Sequence, residues 1–91
     1  MRLRWTPEAA DDLEAIASYL HRNFPSFAQP TIRKIYRIIA SLKTGPYRGR
    51  IGREDGTREL VISDLPYIAV YRICGEAVEV LHIYHGAQNR P

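Results

Sequence analysis

YIAVYRICGEAVEVLHIYH (Tyr67–His85) decides how the rest of the chain reads. Its first run, Tyr67 to Cys74, is rich in β-branched and aromatic residues and spells a strand. Gly75-Glu76 has the length and composition of a two-residue hairpin turn. The second run, Ala77 to His85, is then the returning strand. In it His82 and Tyr84 share the parity of Val78 and Val80, which predicts that both are partly buried. His85 stands at the strand's end, next to Gly86.

Upstream, Ser63-Asp64-Leu65-Pro66 reads as a turn and TRELVI (Thr57–Ile62) as another strand. YRGRIGREDGT (Tyr47–Thr57), with three glycines, reads as an irregular strand with a turn at Asp55-Gly56. Before Tyr47 the period changes. Ala28, Ile32, Ile35, Tyr36, Ile39 and Leu42 recur at helical spacing, as do Ala9, Leu13, Ile16, Ala17, Leu20 and Phe24. Thr6 followed by Pro7 is a helix start, with Glu8, Asp11 and Asp12 in the early turns, where the helix dipole favours acids. Pro25 ends that helix, and the spacing of Ser26 and Gln29 fits a capping box for the second. Pro30 is expected near its first turn, and Gly45-Pro46 stops it. A short first strand, Leu3–Trp5, precedes both. The order is therefore β-α-α-β-β-β. It is an α+β domain over 1–91, a helical hairpin packed on a small antiparallel sheet.

The 91 residues suffice for one core. The single cysteine, Cys74, excludes an internal disulfide and a multi-cysteine zinc site. No signal peptide or long apolar run is seen, which predicts a cytoplasmic protein with no membrane partner; no cofactor is expected. The net charge of +3 is unevenly spread. Residues 21–53 contain eight basic residues and no acid: Arg22, Arg33, Lys34, Arg37, Lys43, Arg48, Arg50 and Arg53. Such a block suits an anionic partner, nucleic acid or acidic protein, or else is a solvated helix face.

The sequence PEAADDLEAI, then GPYRGR, GTREL, PYIAVYRI and VEVLHIYHGAQ, in this order over nearly the whole chain, resembles the RelE/ParE superfamily of toxins from type II toxin–antitoxin modules. The resemblance implies one of two activities. ParE-like members block DNA gyrase. RelE-like members cut messenger RNA on the ribosome without a metal. RelE-like members carry an arginine in the turn before the central strand and another just past the last strand. Those places hold Ser63 and Gln88 here. Some nuclease relatives use glutamate, arginine, histidine and tyrosine instead. In that case Arg58, Arg72 and His85 form the candidate catalytic set, with Tyr84 on the opposite side of the strand from His85.

The ParE-like reading fits this chain better and predicts a basic, aromatic working surface rather than an acid–base site. Its candidates for target or antitoxin binding are Arg33, Arg37, Arg48, Arg50, Arg53, Arg58, Arg72 and Arg90. Arg58 shares the parity of Leu60 and Ile62, so a structural or edge role competes with a functional one. Tyr47 and Tyr67 are expected to pack rather than stack on a ligand. The resemblance also implies an antitoxin, ParD-like or similar, whose disordered tail folds on the toxin to give a hetero-oligomer. That complex would meet operator DNA only through the antitoxin. A third reading keeps the antitoxin partnership and loses toxicity.

Overall fold

The computed structural model of the chain describes residues 1–87. Strand β1 (Arg2–Trp5) leads into helices α1 (Pro7–Asn23) and α2 (Pro25–Ala40), then a 3-10 turn over Ser41–Lys43. Strands β2 (Arg50–Ile51), β3 (Thr57–Val61), β4 (Tyr67–Cys74) and β5 (Ala77–His85) follow. The expected helical hairpin on a sheet is present. Of the irregular stretch after Tyr47, only Arg50 and Ile51 join the sheet.

Thr6 starts the helical layer as predicted. Its hydroxyl accepts from the Ala9 N–H at 3.1 Å, and Pro7 occupies the first helical position. The same hydroxyl reaches the carbonyls of Val80 and Leu81 at 2.9 and 3.1 Å, tying the helix start to β5. The second helix starts earlier than expected. Phe24 alone separates the helices, ending α1 and preceding α2, with no side-chain cap. The capping box at Ser26 and Gln29 is not used. A residue before proline is pushed out of the α region, so Phe24 breaks the chain. Pro25, with φ already helical, restarts it at once. Pro30 consequently lies inside α2.

The sheet order is β1-β5-β4-β3-β2. Three pairings are antiparallel, as expected; β1 joins β5 in parallel. Gly75 opens the β4–β5 turn at φ +61°, the conformation that a two-residue hairpin asks of its first residue. Both helices cover one face. Ile35, Ile39, Leu42, Ile62, Tyr71, Val78 and Val80 are fully buried there. At about 1.5–3 kcal/mol for each large apolar side chain, this layer supplies the main drive to fold.

The parity expected for the last strand holds to Val80 and then reverses. Tyr71 opposes Val80, but its neighbour Val70 opposes His82, so Leu81 is an extra residue in a bulge. Beyond it Ile83 faces the core at 4% exposure, and His82 turns outward. The expected burial of His82 is therefore corrected; Tyr84 is half-buried on the outer face. β1 ends at Trp5, and α1 takes over the edge of β5 from there. The Asp12 carboxylate accepts the Ile83 N–H at 2.9 Å and lies 3.3 Å from His82 Nδ1. Among the described residues, no helix is long and apolar enough to cross a membrane.

Candidate functional site

The outer face of the sheet carries three rows of side chains, read from the strand register. Val61, Ile68 and Tyr84 form an apolar row; Glu59, Val70 and His82 a mixed one; Thr57, Arg72, Glu79 and Arg4 a charged one. The cations here are matched by acids. Arg72 Nε lies 2.7 Å from Glu79 Oε1, and Arg4 Nη2 lies 3.3 Å from Oε2 of the same carboxylate. Arg50 reaches the buried Glu59 at 3.1 Å. The two largely exposed pairs on Glu79 add at most about 1 kcal/mol, but pairing with Glu59 and Glu79 removes Arg50 and Arg72 as free positive charges.

At the β2 rim of the sheet, the loop Gly45–Gly49 is clamped from two sides. The hydroxyl of fully buried Tyr71 donates to the Pro46 carbonyl at 2.7 Å and accepts the Gly49 N–H at 2.9 Å. Gly49 is required by this approach, since a Cβ there would stand 2.6 Å from that hydroxyl. Arg58 Nη1 donates to the Gly49 carbonyl at 2.8 Å, and its guanidinium lies 5.0 Å from the centre of the Tyr47 ring. Arg48 is bonded to the Ser41 hydroxyl. Tyr47 stands on the clamped loop at 67% exposure, and Ile51 follows on β2 at 78%. Tyr47 thus does not pack into the core, contrary to expectation, whereas Tyr67 is buried.

At the opposite end of the molecule, a groove of about 550 Å³ opens between the helical hairpin and the β3–β4 turn. Ile16, Tyr19, Leu20, Phe24, Leu65, Pro66, Tyr67 and His85 line it. Tyr19 and Phe24 are about half exposed. Phe27, the more exposed at 68%, lies one helical turn before the groove residue Thr31. The floor is Tyr67, whose phenol is pushed above its ordinary 10.0 by burial and then by Tyr19. His85 sits edge-on to the Tyr67 ring at 5.7 Å. Its Nδ1 accepts the Ala87 N–H at 3.1 Å, a local bond closing the strand-end turn.

The sequence candidates therefore do not converge. Arg58 faces the ledge loop on the helix side of the sheet. Arg72 opposes Thr57 on the outer side. His85 pairs with Tyr67, five residues from Arg72 along β4, roughly 17 Å at strand rise. Arg33 and Arg37 are exposed one turn apart on α2, and Arg53 is exposed on the β2–β3 turn; none of the three enters an ion pair among the described residues. Arg90, like Gln88, lies outside the described residues. Among the described residues no three histidine, cysteine or acidic side chains gather as metal ligands. The roles of Tyr71 and Gly49 and the groove at Phe24 were missed in the sequence. Tyr71 sits 22 and 25 positions from its partners, beyond the reach of any local pattern.

Residues 3–90 match the family model described as ParE toxin of the type II toxin–antitoxin system parDE. The Y4kP protein of Sinorhizobium fredii is 39% identical over 90 residues, covering 99% of this chain and 93% of the relative. Toxin RelE2 of Caulobacter vibrioides is 33% identical over 84 residues, covering 92% and 93%. Among solved structures, a chain from the chromosomal ParDE toxin–antitoxin system of P. aeruginosa superposes with a TM-score of 0.85 at 28% identity, covering 93% of this chain and 95% of that one. The YoeB dimer of Staphylococcus aureus superposes at 0.60 with 15% identity, covering 93% and 97%, a likeness of fold. With its fold matched and nearly its whole length aligned, this chain belongs to the ParE toxin family of type II toxin–antitoxin systems.

Proposed function

We propose that this toxin acts by binding and inhibiting DNA gyrase, and that a cognate antitoxin silences it through the hairpin groove. The observation that carries the reading is the scatter of the candidate side chains. Arg50 and Arg72 are held by acids, Arg58 is bonded to backbone carbonyls, and His85 is bonded to its own turn at the far end. Cutting RNA needs a base, an acid and a phosphate-binding cation within reach of one phosphodiester. A protein-binding inhibitor needs only an exposed, shaped surface.

The groove suits the antitoxin. Its apolar lining with a few polar groups fits an amphipathic segment that orders as it binds. Arg22 in the last turn of α1, with Arg33 and Arg37 on α2, gives that segment reason to be acidic. Toxin and antitoxin then form a hetero-oligomer that reaches operator DNA through the antitoxin. The cytoplasm is where such a partner and target meet.

The test is to induce the toxin without its antitoxin and to follow thymidine and methionine incorporation over the first minutes, with supercoiling by purified gyrase alongside. Early loss of thymidine incorporation with methionine spared, and arrested supercoiling, is expected. Early loss of methionine incorporation with cut messenger RNA would overturn the reading in favour of a ribosome-dependent nuclease. A chain that arrests nothing would leave only the antitoxin partnership.

A further inference from the structure

The clamped loop at the β2 rim is built at a cost. It uses a fully buried tyrosine hydroxyl, a glycine with no room for a methyl group, and an arginine spent on backbone carbonyls. None of these is needed to close a loop between a helix and a two-residue strand. Together they fix the loop as far as Gly49, and Ile51 is set just beyond it by its pairing with Arg58 in the sheet. What this ledge, Tyr47–Arg53, presents is unusual for a solvated edge: a tyrosine 67% exposed and an isoleucine 78% exposed, within a run containing three arginines. Ordered aromatic and aliphatic groups ringed by arginine are the composition of an interface centre, because rigid side chains lose little entropy on binding.

We propose that this ledge is the surface through which the toxin grips its target, and that the grip is on a protein, an acidic surface with an apolar recess for Ile51 and the ring of Tyr47. The inference rests on the inhibitor reading above and adds where the target binds. Charge gives the sign of the partner: with Arg50 paired to Glu59, the stretch 47–58 leaves Arg48, Arg53 and Arg58 against two acids, Glu54 and Asp55. Ile51 gives its class. A nucleic acid offers an aliphatic side chain neither a stacking face nor a phosphate, whereas a protein surface offers a hydrophobic pocket. The ledge is at the β2 rim and the groove is at the hairpin tip, so antitoxin and target are read by different residues.

Three variants test this: Tyr47→Ala, Ile51→Ser and Arg53→Glu. None removes a buried side chain; Ile51→Ser also leaves the Arg58–Tyr47 contact in place and serves if Tyr47→Ala lowers stability. Each is scored for the toxin level that arrests growth without antitoxin, for gyrase inhibition in vitro, and for affinity to the purified cognate antitoxin. The expected result is a loss of potency of roughly tenfold or more for Tyr47→Ala and Ile51→Ser, with antitoxin affinity within about twofold of the parent. Unchanged potency in folded variants would overturn the proposal. So would a parallel loss of antitoxin affinity, which would make the ledge part of that interface, or loss confined to RNA or DNA binding. If the parent arrests growth but spares gyrase, the gyrase reading fails while the same variants still decide whether the ledge meets the target. A parent that arrests nothing overturns both.

Discussion

The two ends of the sheet solve opposite problems. At the β2 rim, buried polar bonds and a glycine hold exposed side chains in a single arrangement. At the hairpin tip, Tyr19 and Phe24 line an open groove and Phe27 stands one helical turn from it, over mainly apolar packing. The first surface is preorganised and suits a partner of fixed shape. The second is adaptable and suits a segment that gains its shape on binding. One fold thus presents two surfaces whose mutations should fall into separate classes.

Substitutions can break or sharpen this contrast. The largest effect is expected from Gly49→Ala. The new methyl would meet Tyr71 and the Glu59 carbonyl at 2.6–2.9 Å, and neither can withdraw without opening the sheet edge. A loss of about 3 kcal/mol is expected in urea denaturation. Next is Tyr71→Phe, which keeps the ring but orphans the Gly49 N–H and the Pro46 carbonyl. About 2 kcal/mol should go, with faster amide exchange at Gly49 than at core strand positions. If both variants match the parent, the ledge is not clamped and the contrast fails.

The groove end should respond more weakly. Asp12→Ala removes the acceptor for the Ile83 N–H at the edge that β1 leaves open, costing about 1 kcal/mol. Phe27→Ser should leave stability within about 0.5 kcal/mol and lower antitoxin affinity, as expected of an exposed contact residue. The smallest effect is at alkaline pH. Tyr67 keeps its proton in the fold to a higher pH than in the unfolded chain. Its contribution is therefore complete below about pH 10.0 and is lost as pH rises through the folded value. In a Tyr67→Phe variant the alkaline fall in stability should be shallower; an identical slope would remove Tyr67 as its source.

Much of the fold was legible because its signals are local. Thr6-Pro7 starts a helix within three residues, and Gly75-Glu76 makes a turn within four. The Leu81 bulge was not. The alternation in VEVLHIYH reads cleanly through it, and only the pairing with β4 shows that the faces exchange after Val80. Phe24 was misread because the Ser26–Gln29 spacing offered a cap that Pro25 made unnecessary. The candidate arginines were visible as charge, but their partners were not: Glu79 lies 75 positions from Arg4, and Gly49 nine from Arg58. Charge counts show what a surface contains, and pairing decides what is left free.

The central place of β5 has a consequence for how the molecule comes into being. Among the described residues it is the last strand in chain order, yet it lies between β1 and β4 and is the one strand that β1 pairs with. β1 must therefore wait, unpaired, for a partner some 75 residues away. Pairings so distant in sequence form slowly, which makes completion of the sheet a late event. A growing chain, or one cut short before Ala77, has neither a complete sheet nor the groove wall that His85 provides. The fold therefore closes only once β5 is in place between its two neighbours.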